Sequence, residues 1–153
     1  EIANLNSPGQ IVISGTREAM VRAIDLARAM GARRAISLNV SGAFHSRLMQ
    51  PAAEGMVDAI SGLKFRYPSI PIVVNSTAQP VTTAGEVREE LMRQLCHCVQ
   101  WQRSVEYMMD AGVSIFIEIG PGQVLSGLIK RISDQAQTLN VGDAESIGVI
   151  QKL

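Results

Sequence analysis

The chemically telling feature of this sequence is a histidine displayed like a catalytic base with no nucleophile nearby for it to serve. Val40-Ser41-Gly42-Ala43-Phe44-His45-Ser46 puts an imidazole in a glycine-containing turn at the end of the apolar run Ala35 to Leu38, where an irregular backbone can present a side chain. No Gly-x-Ser-x-Gly elbow occurs in the 153 residues. Ser41 and Ser46 are the nearest hydroxyls in sequence, and neither sits at a strand-to-helix elbow. His45 therefore reads either as a hydrogen-bonded structural residue or as half of a site whose other half lies upstream of Glu1.

Cys96-His97-Cys98 is the second candidate, since thiolates and imidazole are good zinc ligands. A tetrahedral site needs a fourth ligand and usually two or more residues between paired cysteines. The other histidine is already placed in the Phe44 turn, so no metal is expected. Nothing near these thiols is recognisable as a base for a cysteine nucleophile. One residue apart, the two cysteines cannot easily close a disulfide on each other, which points to a reducing environment.

Around these residues the pattern is that of an α/β chain. Gln10 to Ser14 reads as a strand, and Gly15-Thr16 opens a helix with Met20, Ala23, Ile24, Ala27 and Met30 on one face and Gly31 as its stop. Ala35 to Leu38 reads as a further strand. After the His45 turn, Met49, Ala52, Ala53, Met56, Ile60 and Leu63 recur at helical spacing up to about Gly62. Ile72-Val73-Val74 fits a strand covered on both faces. Thr83-Ala84-Gly85-Glu86 resembles a capping box for a helix turning Val87, Leu91 and Leu95 inward. A next helix carries Val105, Met108 and Met109 and ends at Gly112. Ile115 to Ile119 is the strongest strand signal, and Gly120-Pro121-Gly122 turns it into a helix bearing Leu125, Leu128, Ile129 and Ile132. Amides at that helix start would suit an anion, or the turn is purely structural. Leu139 to Val141 reads as an edge strand and Ala144 to Leu153 as a tail.

Four motifs in order are more specific than any of these elements. They are Asn6-Ser7-Pro8-Gly9-Gln10-Ile11-Val12-Ile13-Ser14-Gly15, Ala43-Phe44-His45-Ser46 with Met49, Val99-Gln100-Trp101, and Glu118-Ile119-Gly120-Pro121-Gly122 with Val124-Leu125. From about Ala3 to about Ile132 the chain resembles the C-terminal half of a malonyl-CoA:acyl carrier protein transacylase. The resemblance implies part of an α/β-hydrolase-like acyltransferase core plus an incomplete ferredoxin-like small subdomain. The small subdomain would occupy residues 1–40, the core 41–136, and a C-terminal strand or tail 137–153.

The resemblance also implies a chemistry. Acyl transfer between thioesters needs an activated hydroxyl, a base and oxyanion donors, and histidine, with an ordinary pKa of ~6.5, suits the middle role. The family fixes that histidine through a main-chain carbonyl, which motif position assigns to Gln100. His97-Cys98 stands where the family commonly has Asn-Pro or Ser-Pro. In related enzymes a bulky aromatic immediately before the histidine accompanies malonyl selection, which makes Phe44 the expected substrate-binding residue. The family's serine, arginine and oxyanion amides match no position here, so the isolated chain is expected to be an inactive histidine-bearing half. Expected partners are malonyl-CoA, acyl carrier protein and the missing N-terminal half, with no cofactor. Two alternatives stand beside this: a fragment of a polyketide or multifunctional fatty-acid synthase, or a non-catalytic module that binds carrier protein.

Composition narrows the classes further. Hydrophobic residues make up 46% and charged residues 18%, a globular balance without disordered bias. Formal net charge is zero, so neither nucleic acid nor an anionic membrane is indicated. No apolar run approaches the roughly 20 residues of a membrane helix, and no leader is visible at Glu1, so a cytoplasmic location is expected. Arg33-Arg34 and Lys130-Arg131 are small basic pairs, either solvated surface or contacts for a CoA phosphate or an acidic carrier protein.

Overall fold

The chain opens with a hairpin that the sequence reading recognised only in its second arm. A computed structural model, which describes residues 1–152, pairs β1 (Ile2–Ser7) antiparallel with β2 (Gln10–Ile13), Ser7 opposite Gln10. Pro8-Gly9 makes the two-residue connection, with Gly9 at φ 75° where a side chain would be strained. Thr16 then caps α1 (Arg17–Ala29) by accepting from the Ala19 amide, and Gly31 (φ 89°) ends it as expected.

The expected strand Ala35 to Leu38 does not form. The segment runs without regular structure, leaving Ile36, Leu38 and Val40 each more than half exposed. A β-rich apolar run becomes a strand only when a neighbouring ladder meets its amides; among the described residues none lies beside it. Its recorded ties are local: the Arg28 guanidinium donates to the Ala35 carbonyl and the Val40 amide to that of Leu38.

A 3-10 turn (Arg47–Met49) leads into α2 (Gln50–Ser61), which buries Ala53 and Ile60. β3 (Ile72–Val73) pairs antiparallel with β4 (Pro80–Val81), a strand the sequence did not signal, and Ile72 remains 42% exposed, so β3 is not covered on both faces. The capping box at Thr83 and Glu86 is present in both directions and opens α3 (Ala84–Arg93). α4 (Trp101–Asp110) follows and reaches Gly112 (φ 93°).

β5 (Ile115–Ile119) runs parallel to β6 (Gln137–Val141) through α5 (Val124–Ile132), a β-α-β unit. Alternation along β5 sends Phe116 into a core of Val105, Ile129 and Ala136, closed by Trp101, Met108, Met109 and Ile132. Ile115, Ile117 and Ile119 face the other way and are exposed. Beyond β6 a 3-10 stretch spans Glu145–Lys152; Leu153, the end of the expected tail, lies outside the described residues. The hairpin is joined to this layer by one parallel bridge: the Leu5 amide donates to the Val99 carbonyl and the Val99 amide to that of Ala3, both at 2.8 Å.

Candidate active site

His45 sits in the left-handed region at φ 60°, where a residue with a side chain is strained. Hydrogen bonds from several elements hold it there. The Ser46 hydroxyl, almost fully buried, donates to the Ala43 carbonyl at 2.6 Å and closes the turn from within. The Ser14 hydroxyl, at the end of β2, donates to the Phe44 carbonyl at 2.8 Å. The His45 amide donates to the Leu95 carbonyl at 3.0 Å. On the ring, Nδ1 lies 2.8 Å from the carbonyl oxygen of Gln94. A carbonyl only accepts, so Nδ1 carries a proton, and in the neutral ring Nε2 keeps a free lone pair. That is the tautomer a general base needs.

The carbonyl that fixes the ring is therefore that of Gln94, six positions before the expected Gln100. Gln100 stands at the start of α4, where its carbonyl accepts from the amide (2.9 Å) and the hydroxyl (3.1 Å) of Ser104. Its side chain donates to the Ser76 carbonyl and accepts from Arg103. An oxygen engaged in starting a helix is not available to an imidazole on another element. Gln94, by contrast, lies just past α3, where the last carbonyls of a helix lack intrahelical partners and can point outward.

Phe44 is 43% exposed, and its ring lies over Gly42: a Cβ on Gly42 would stand 3.3 Å from the ring edge. The missing side chain is what lets the ring fold back over the turn. Met49 sulfur borders the same position.

The other candidates are absorbed by structure. At the Gly120-Pro121-Gly122 turn the α5 amides are taken by the chain's own carboxylate, Leu125 and Ser126 donating to Glu118 at 3.0 and 2.8 Å. Ser126 is the main reason the Glu118 carboxyl is held below its ordinary value, with the Leu125 amide adding to it. Of the two readings of this turn, the structural one fits: the α5 amides are taken from within. In Cys96-His97-Cys98, His97 Nδ1 lies 2.7 Å from the Arg93 carbonyl, Cys96 faces Gln50, and burial pushes the Cys98 thiol up. Among the described residues no group of three or more His, Cys, Asp or Glu side chains is placed to hold a metal, and no helix is long and apolar enough to cross a membrane.

Two residues that hold the turn were not singled out in the sequence. Gln94 acts through its main chain, which carries no residue-type signal, and Ser14 is brought to Phe44 only by the hairpin.

Residues 2–152 match the acyl transferase domain family, and the chain belongs to it. It is 44% identical over 147 residues to the malonyl CoA-acyl carrier protein transacylase of Bacillus subtilis, covering 96% of this chain and 46% of that protein. The crystal structure of acyl-carrier-protein-S-malonyltransferase from Bartonella henselae superposes with TM-score 0.95 at 39% identity, over 99% of this chain and 48% of that one. A type II polyketide-synthase acyl-carrier protein in complex with its malonyl-transacylase matches at TM-score 0.95 and 41% identity, over all of this chain and 50% of the other. The chain thus spans about half the length of the relatives it matches. Its architecture is the α/β fold of acyltransferases.

Proposed function

We propose that His45 is the general base and acid of malonyl transfer from malonyl-CoA to the phosphopantetheine thiol of an acyl carrier protein. The observation that carries this is the Nδ1 contact with the Gln94 carbonyl, which leaves Nε2 free to work. In the first half-reaction a hydroxyl attacks the thioester carbonyl and its proton passes to Nε2. The C–S bond then breaks and the proton leaves with the CoA thiol. The second half-reaction runs the same steps in reverse with the carrier thiol as nucleophile, regenerating the hydroxyl.

The 153 residues contain no elbow serine, so the hydroxyl belongs to a part of the enzyme outside them, as the half-length match to the relatives supports. The proposed division is a small subdomain over 1–40, a core portion over 41–136 and a C-terminal strand or tail over 137–153. No cofactor is required by this chemistry, and the proposed location is the cytoplasm.

The test is a transfer assay on the full-length protein with malonyl-CoA and holo carrier protein, read by intact mass of malonyl-carrier. Transfer abolished by His45→Ala supports the reading; transfer that survives it overturns it. The similarity to a polyketide-type malonyl-transacylase favours one second reading, a polyketide carrier as acceptor. Competition between a fatty-acid and a polyketide carrier separates the two.

A further inference from the structure

We infer that Ser14 is a positioning residue for His45, acting through the peptide that precedes it and linking the hairpin to the catalytic turn; this rests on the reading of His45 as the base. Three observations carry it. The Ser14 hydroxyl donates 2.8 Å to the Phe44 carbonyl, thirty residues away in sequence. That peptide is the one whose rotation sets φ of His45, which stands at 60°. A strained conformation persists only where its surroundings over-determine it.

The other ties of the turn do not replace this one. Ser46 bonds within the turn itself and so cannot fix it against the rest of the molecule. The Leu95 and Gln94 carbonyls hold the His45 amide and ring from the α3 side. The N-terminal segment reaches the turn through Ser14 at Phe44 and through the Glu1 carboxylate, which accepts from the Arg47 amide at 2.8 Å. The Phe44–His45 peptide is thus held at both ends, its amide by the Leu95 carbonyl and its carbonyl by Ser14. Removing the Ser14 contact leaves the imidazole pinned at Nδ1 and the peptide held at its amide end alone, so its carbonyl end can tilt about that one tie, which shifts Nε2 relative to the substrate.

Ser14 touches no reacting atom, and its bond is partly solvent-exposed, so little stability depends on it. The effect belongs in turnover, because misplacing a reacting group by about 1 Å can cost on the order of 100-fold. Full-length Ser14→Ala is expected to lose roughly 10-fold in kcat with KM for malonyl-CoA and the melting temperature unchanged. Ser14→Thr, which keeps the hydroxyl, is expected to restore kcat.

Wild-type kcat in Ser14→Ala overturns the inference. So does a loss accompanied by a lowered melting temperature, or one that Ser14→Thr does not rescue. His45→Ala run alongside keeps the two readings apart: if it abolishes transfer while Ser14→Ala is normal, only the positioning role fails. If His45→Ala is active, the base assignment fails with it.

Discussion

His45 Nδ1 and the main-chain oxygen of Gln94 meet at 2.8 Å across 49 residues of sequence. The contact joins the turn after the first α/β segment to the end of α3, and it fixes a tautomer without any carboxylate. An acidic orienting partner would raise the basicity of the ring and could be removed by mutation. A carbonyl offers direction only, and it survives every side-chain substitution at its position.

Replacing His45 by alanine in the full-length protein is expected to lower kcat/KM for malonyl transfer by roughly 10² to 10⁴, the usual worth of a positioned general base. Folding should be little affected, since the ring is only partly buried. Circular dichroism and a transfer assay on the same preparation check this. Near-normal kcat/KM in a folded His45→Ala protein rules out the role.

The two glutamines should behave differently. Gln94→Ala keeps the carbonyl at Nδ1 and loses only a 3.4 Å side-chain contact with Asn75, so activity and stability should both stay close to wild type. Gln100→Ala removes the donor to the Ser76 carbonyl and the acceptor for the exposed Arg103 guanidinium, and leaving the partly buried Ser76 carbonyl unpaired costs about 1–3 kcal/mol. Its melting temperature should fall while turnover per folded molecule holds. A large loss of turnover in either variant at unchanged stability would mean that the side chain takes part in the chemistry.

Glu118 predicts a pH effect on stability. Its carboxyl titrates lower in the folded protein than free in solution, chiefly through Ser126. The unfolded chain therefore binds that proton more readily, and acid favours unfolding. The stabilisation is complete above the ordinary glutamate value of ~4.3 and drains away as pH falls through the lower folded value. Melting curves of wild type and Glu118→Gln, taken from neutral pH down to about pH 3, should converge on the acid side. A gap of constant size across that range would show that the carboxylate's charge does not matter to α5.

The elements that the sequence revealed were those with local causes. Thr83 and Glu86 announce α3 because the capping box is complete within four residues, and Ile115 to Ile119 reads as a strand because apolar β-formers fill it. The failures depend on whether a pairing partner is present, which composition does not record. Ala35 to Leu38 has strand composition and no ladder to join, while Pro80–Val81 has little strand composition and pairs because β3 lies beside it. At the site, His45 and Phe44 stood out by type and setting. The carbonyl of Gln94 did not, because every residue has one. Motif order led to Gln100 since both glutamines lie in the same short stretch, and only the start of α4 decides which carbonyl is already engaged.

Phe44 is where substrate choice would be read. Its ring lies over Gly42 and the residue is 43% exposed, so it borders open space immediately before His45 and is not locked in the core. A phenyl ring beside the α-carbon of a bound acyl group leaves little volume for a branch, and rejecting one methyl in a tight pocket is worth roughly 1 to 3 kcal/mol, or 10- to 200-fold. Phe44→Ser in the full-length protein should therefore raise the ratio of methylmalonyl to malonyl kcat/KM by about 10-fold or more. If the ring only anchors the turn, both rates fall together with the melting temperature and the ratio stays fixed. Gly42→Ala provides an independent check, because its methyl would press on the ring at 3.3 Å and move it without shrinking it. The selectivity role requires the ratio to change in Gly42→Ala as well, by displacement of the same ring, while an unaltered ratio in both variants would remove Phe44 from substrate choice.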